Sequence, residues 1–432
     1  MIWYFCLKQN ELSPENLFQV PEEGWAYDDC FPLRYEGDDV FAKGSEDIVH
    51  FRDDIYFVST GLYGENPPPP TAEAANGDDG EHYKLGGIYI LDTSSEPPTL
   101  QRAKISGLPT SLNFRPHGLF LDYESDRLFV VSHNNEEKEE NIVILTVIDD
   151  DDDDNPHFQF HVALFSSQWF PVGMPGEAWH LNDVVYAGNN EILATKYGPQ
   201  PREDPFEPKR LWSCTIQGAY DNVPEDGRVE TICIQALNFT ESQQGIVGLN
   251  GIAISDDKKT VWTSDISFAQ IMQIGKNDTT GNWYLQDLIP VPAVVDNLEY
   301  IDGTLHMGAP LKHPAYGGNL SGTWVGGYLL GEQEDDGSYN VSVAFQFTES
   351  FVAELGDSGI GVSEARPVGV SGQYLALGGW DFPGIVLCKS TNDPTSTSQD
   401  TASSDVMPFY LMTDWMTMLV TMSVLTLTIA LS

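Results

Sequence analysis

Residues 181–187 read Leu-Asn-Asp-Val-Val-Tyr-Ala, a polar pair running into apolar residues, and the same design recurs along the chain. Glu46-Asp47 opens GSEDIVHF, His117-Gly118 opens PHGLFLD, Asn250-Gly251 opens LNGIAIS and Asp296-Asn297 opens VDNLEYI. A sixth opening is assigned to Val368-Gly369 in PVGVSGQYLAL. Each leads into a period-two run, a turn and a second alternating run such as RLFVVSH, KTVWTSD or QYLALGG, the pattern of half-buried strands. Openings roughly 46 to 72 residues apart, with about four short strands each, are what the blade of a β-propeller requires. The expected fold is all-β, a six-bladed propeller. If the openings lie at the same end of equivalent inner strands, their side chains converge on the central channel. Oxygen donors from several blades meeting there make a site for a hard cation.

The chain has 432 residues, with 65 acidic against 21 basic and a formal charge of −44. That balance argues against nucleic acid and anionic membrane surfaces as partners, since both demand basic patches. Most of the carboxylates are read as a solvated surface, the run Asp149–Asp154 included. Of five cysteines, Cys30 precedes the first opening and Cys388 ends the last strand, so a Cys30–Cys388 bridge would lock the ring. Cys214 and Cys233 lie on two strand-like runs, LWSCTIQ and ETICIQA, and could pair across a hairpin. Free buried thiols are the alternative for either pair. Four glycosylation triplets, at Asn238, Asn277, Asn319 and Asn340, join the cysteines in pointing to an oxidising compartment.

The expected organisation is an N-terminal segment at 1–29, the propeller at 30–388, a Ser/Thr-rich linker at 389–406 and a hydrophobic tail at 407–432. Ala402-Ser403-Ser404, a polar spacer and the uncharged stretch from Trp415 to Ser432 fit a lipid-anchor signal, with a transmembrane helix as the alternative. The N-terminus offers only MIWYFC ahead of Lys8, shorter than a signal core. The expected location is secreted or on the outer cell surface, attached through the tail. Insertions at 64–82 and 198–210 are Pro-rich loops, the second a candidate lid.

GSED, NFRPHG, VVSHN, LND, LNGI and VDN occur in one order over most of residues 30–388. In that order and spacing they resemble the calcium-dependent paraoxonase/arylesterase family, lactonases built on a six-bladed propeller. The resemblance implies a catalytic calcium held by Glu46, Asn182, Asn250, Asp296 and Asn297. It implies a second, structural calcium held by Asp47, Asp183 and the main-chain carbonyl of Leu119. His117 would be the base that activates water and His133 its orienting partner, with an imidazole titrating near neutrality suited to the task. Three neutral amides among the five donors would keep the ion electropositive, and a strand's period of two lets the neighbours in Glu46-Asp47 and Asn182-Asp183 face different ions.

The chain departs from the family's pattern at Lys196 and Tyr197 in ATKYGP and at Pro310 in GAPLKHP, where His313 lies downstream of the expected channel histidine. These changes bear on substrate preference and leave the calcium ligands in place. Gly356-Asp357-Ser358-Gly359 looks like a serine-protease motif, but Ile360 follows where a second glycine belongs, and it is read as a loop. The expected activity is hydrolysis of lactones and aryl esters, with a small-molecule substrate as partner. The alternatives are a gluconolactonase-like or strictosidine-synthase-like propeller, or a non-catalytic binding propeller stabilised by calcium.

Overall fold

The computed structural model describes residues 27–34, 44–60, 86–109, 112, 114–133, 140–149, 156–165, 181–196, 211–216, 231–237, 249–265, 270–291, 295–310, 325–333, 339–346, 362–379 and 384–391. Residues 392–406 of the expected linker, the tail, both Pro-rich insertions, Asn238, Asn319, Tyr197, His313 and the Gly356–Gly359 stretch lie outside them, while Lys389 and Ser390 belong to the last strand. Apart from one 3-10 turn at Val370–Gly372, the regular elements among the described residues are strands. None of their helices is long and apolar enough to cross a membrane.

The strands form six sheets, each built outward from an inner strand by antiparallel pairs, and in the second sheet the short strand Ile105–Ser106 adds a parallel edge against His157–Phe165. The inner strands are Ile48–Arg52, Pro116–Asp122, Leu181–Tyr186, Leu249–Ile254, Leu298–Ile301 and Val362–Val368. Each packs against the inner strand before and after it, and the sixth returns to the first, so the architecture is an all-β propeller. The last sheet is completed by the chain's two ends, Tyr27–Arg34 pairing with Gly384–Ser390. Cys30 and Cys388 are joined across that pair, and Cys214 and Cys233 sit opposite one another on neighbouring strands and are also joined. Both expected bridges are present. Closing a loop of 358 residues removes much freedom from the unfolded chain, worth at most about 6 kcal/mol by loop-entropy arguments.

Five turns after inner strands use a residue with positive φ: Asp53, Asp126, Asn190, Lys258 and Asp302. Short polar side chains tolerate that conformation best, which is why these hairpins are rich in Asp and Asn. The core lies between sheets rather than within one. Phe57 of the first sheet meets Phe158 of the second at 4.8 Å between ring centroids, and Phe129 of the second stacks on Tyr186 of the third at 5.3 Å. Val58 and Leu100 pack with Ala376 and Leu387, which joins the first sheet to the last.

The sixth opening requires correction. The inner strand of the last sheet is Val362–Val368, so the pair equivalent to Asn182-Asp183 is Ser363-Glu364, and Val368-Gly369 leads out of the strand into the 3-10 turn. The strand reads Val-Ser-Glu-Ala-Arg-Pro-Val, and both Glu364 and Arg366 are buried. Charged residues at inward positions break the apolar alternation, which moved the reading to the next apolar run.

Candidate active site in the central channel

The six opening pairs are Glu46-Asp47, His117-Gly118, Asn182-Asp183, Asn250-Gly251, Asp296-Asn297 and Ser363-Glu364. Among them Glu46, Asp47, His117, Asn182, Asp183, Asn250, Asp296, Asn297, Ser363 and Glu364 are all buried. Four of the inner strands carry a register shift at the pair itself, between Pro116/Leu119, Leu181/Val184, Leu249/Ile252 and Val362/Glu364. Such a bulge re-aims side chains at a strand end. The two glycines have a spatial reason. A Cβ at Gly118 would overlap Asp183 and the Asn182 carbonyl, and one at Gly251 would overlap Asn297 and the Asp296 carbonyl. The second and fourth pairs are thus thinned so that the third and fifth can approach.

The pairs are bound to one another around the channel. The Gly251 N–H donates to the Asp296 carbonyl at 3.1 Å, and the Asn297 N–H to the Ser363 carbonyl at 2.9 Å. The Asn297 side-chain amide donates to the Glu46 carbonyl. Ser59, Ser132, Thr195 and Ser264, near the ends of the second strands, add hydroxyls. Ser59 accepts from the Asp47 N–H at 3.0 Å, Ser132 from the Arg115 N–H at 2.9 Å, and Thr195 from the Asp183 N–H at 3.1 Å. Ser264 donates to the Asp296 carbonyl at 2.7 Å. These hydroxyls escaped the sequence reading although FVST, VVSH, LATK and WTSD recur at one place in four sheets.

Asp47 and Asp183 are held alike. The Asp47 carboxylate accepts from the Ile48 N–H at 2.8 Å and, across the sheet boundary, from the Leu119 N–H at 2.5 Å. That of Asp183 accepts from Val184 at 2.7 Å and from Ile252 of the next sheet at 2.8 Å. By contrast the side-chain oxygens of Asn182, Asn250 and Asn297 are buried with no hydrogen-bond partner among the described residues. An amide carbonyl left bare inside a protein costs about 1–3 kcal/mol, so three together call for a ligand.

The carboxyls crowd one another. Burial first, then the charge of Asp296, pushes the Glu46 carboxyl well above the usual range. Burial raises Asp47 to about 7, and burial with the Asp47 charge drives Asp183 up. Both carboxylate oxygens of Glu364 lack a hydrogen-bond partner among the described residues, and burial and the charge of Asp47 raise it as well. Beside it Arg366 pairs with Glu299 at 2.7 Å and donates to the Ile48 carbonyl at 3.0 Å. A cation reverses this logic by favouring every ionised carboxylate around it. Among the described residues no three His, Cys, Asp or Glu side chains form a ready metal cluster. The donor set here is of another kind, with amide oxygens as its majority, and an all-oxygen set suits calcium rather than a transition metal.

The two histidines come together as expected. His117 and His133 meet edge to face with ring centroids 4.8 Å apart. His117 Nδ1 lies 2.7 Å from the Asn182 carbonyl. A carbonyl only accepts, so Nδ1 carries the proton and Nε2 keeps its lone pair, 3.8 Å from Glu46 Oε2. The expectation of titration near neutrality fails for His117. Burial, and then His133, lowers it to about 3, so the ring is neutral across the ordinary pH range.

Lys196 ends the second strand of the third sheet opposite Leu181, and Pro310 ends that of the fifth. Asn277 is exposed in a turn where its side chain accepts from the Thr279 and Thr280 amides, and Asn340 lies on a strand. His306, which carried no positional signal, is buried beside Glu299 on the second strand of the fifth sheet.

No family model matches the chain. The chain is similar to serum paraoxonase/lactonase 3 of Homo sapiens, 23% identical over 268 residues, which is 59% of this chain and 62% of the human protein. The Mus musculus protein of that name is 25% identical over 275 residues, with the same coverage. The chain thus spans 62% of the length of the curated relatives it matches. Two of the matching solved structures are the periplasmic gluconolactonase of Pseudomonas aeruginosa and the PQQ-bound aldose sugar dehydrogenase of Streptomyces coelicolor. The first is 12% identical with a TM-score of 0.37, covering 80% of this chain and 77% of its own. The second is 12% identical with a TM-score of 0.42, covering 84% and 98%. Both scores are too low to bear on function.

Proposed function

We propose that the chain is a calcium-dependent hydrolase of lactones and aryl esters working in the central channel. The observation that carries this reading is the set of three bare amide oxygens, Asn182, Asn250 and Asn297, buried in one ring of hydrogen-bonded pairs with Glu46 and Asp296 and beside a histidine whose Nε2 is free to accept a proton. Glu46, Asn182, Asn250, Asp296 and Asn297 would hold the catalytic calcium, and Asp47, Asp183 and the Leu119 carbonyl a second, structural ion. When bound, calcium supplies positive charge beside the substrate carbonyl oxygen as charge develops there.

The chain's own residues do the rest. His117, held by the Asn182 carbonyl, accepts a proton at Nε2 from a water whose oxygen bonds to the carbonyl carbon. The acyl–oxygen bond then breaks and the departing alkoxide or phenoxide takes the proton back, so a lactone opens to a hydroxy acid. His133 fixes the plane of His117 through the edge-to-face contact. The similarity to serum paraoxonase/lactonases supports the substrate class. Two disulfides support an oxidising compartment, and we place the protein in secretions or at the outer cell surface, anchored through 407–432.

The test is a panel of lactones and aryl esters, assayed with calcium, with a chelator and after calcium is restored. Hydrolysis should disappear with chelation and return with calcium. A panel left intact by the calcium-loaded protein removes the hydrolase reading, and turnover indifferent to the chelator removes the metal.

A further inference from the structure

We propose that Glu140 is the positioning residue of the histidine pair, holding His133 in one tautomer and tying it to the backbone segment that also orients His117. The inference rests on the hydrolase reading. Glu140 immediately precedes the strand Asn141–Ile148 and is 6% exposed. It closes the acidic run of EEKEE, a stretch whose composition reads as solvated surface. One carboxylate oxygen, Oε1, lies 2.7 Å from His133 Nδ1, and the other, Oε2, accepts from the Leu181 N–H of the third sheet.

A carboxylate that only fastened the two sheets would need the Leu181 contact alone. Here the second oxygen is spent on an imidazole that is itself only 12% exposed by side chain. An ionised carboxylate cannot donate, so the proton is on His133 Nδ1, and Nε2 is left as the nitrogen through which His133 can exchange a proton. The geometry repeats that of His117, whose Nδ1 is committed to the Asn182 carbonyl. Both histidines are therefore referenced to two adjacent residues. His117 is held by Asn182 directly and His133 by Leu181 through Glu140, on the strand that carries the proposed ligand Asn182. A rigid shared reference is what keeps two rings edge to face at 4.8 Å.

Glu140→Gln separates positioning from general support. An amide has one acceptor oxygen, so with that oxygen on the Leu181 N–H it can offer His133 Nδ1 only an N–H, which favours the other tautomer. With calcium bound, kcat on a lactone should fall about 10- to 100-fold, the range typical of lost orienting partners, with KM and calcium affinity unchanged. Glu140→Asp keeps the charge on a shorter arm and should recover part of kcat. Imidazole nitrogen spectra of 15N-histidine-labelled protein should show His133 of the wild type protonated at Nδ1, and Glu140→Gln should lose that single tautomer. A folded Glu140→Gln with wild-type kcat, or a wild-type His133 protonated at Nε2, overturns the proposal. If the glutamine variant fails to fold, the aspartate variant and the wild-type spectrum decide. If the wild type hydrolyses nothing, the hydrolase reading fails while the tautomer still decides whether Glu140 holds His133.

Discussion

Two sets of side chains share the channel and differ in what already satisfies them. The oxygens of Asp47 and Asp183 are bound by main-chain amides, each reaching one N–H of its own strand and one of the next sheet. The amide oxygens of Asn182, Asn250 and Asn297 have no partner among the described residues. Burial is equal in both sets, so exposure does not separate them. Hydrogen bonding does. The aspartates join sheets whether or not an ion is present, whereas the amides are arranged for something the chain does not itself supply.

The largest effect that would sharpen this contrast is on activity. Asp296→Ala and Asn250→Ala should each reduce lactone hydrolysis by at least about 100-fold, since even partners outside the metal shell cost 10- to 100-fold. Their β circular dichroism should stay that of the wild type. Variants that keep near-normal turnover would take the binding role away from the amide set.

Asp183→Ala tests the other set. It removes two hydrogen bonds and leaves the Val184 and Ile252 amides bare, so unfolding free energy should fall by about 3 kcal/mol in chelator, and further in calcium, where the proposed structural ion also loses a ligand. Denaturant melts under both conditions read it. A loss seen only with calcium would make the structural ion, rather than the main-chain bonds, the source of stability.

A pH effect of similar size belongs to neither set. Burial, then Arg366, lowers His306 from 6.5 to about 4. Between those values the unfolded chain takes up a proton that the folded protein refuses, so stability is complete above about pH 6.5 and declines as pH falls toward 4, by up to about 3 kcal/mol. Melting curves of His306→Asn should lack that portion of the acid sensitivity. An unchanged acid profile would assign it elsewhere.

The smallest expected effect is at Glu364, which resembles the aspartates in position and the amides in having bare oxygens. Its carboxyl is held above the usual range, so the folded state keeps a proton that the unfolded chain has lost, and stability falls as pH rises through that window. In calcium-free protein at pH 8, Glu364→Gln should therefore raise stability by about 1 kcal/mol, and the gain should vanish near pH 5. Chemical denaturation at both pH values measures it, and a loss of stability at pH 8 would mean that the charge of Arg366 outweighs burial at Glu364.

Much of this molecule was legible before folding. Period-two runs between turn residues indicated strands, and five of the six channel pairs stood out because Asn, Asp, Glu and His at a strand opening interrupt an apolar pattern. The cysteine positions pointed to both bridges. Local sequence carries these signals because strand alternation, turn chemistry and the chain's two ends are local properties. Other features existed only once the sheets met. Ser363-Glu364 was hidden because its strand buries charged residues, and burial there is tolerated through Arg366 and Glu299 from another sheet. The Ser59, Ser132, Thr195 and Ser264 hydroxyls, the tautomer of His117 and the tie from Glu140 to His133 depend on partners in other strands or sheets. So does the drop of His117 to about 3, which comes from burial and from a second ring brought alongside. Residue types marked where chemistry could occur; which oxygens were left bare and which were bound was decided by how six sheets close on one channel.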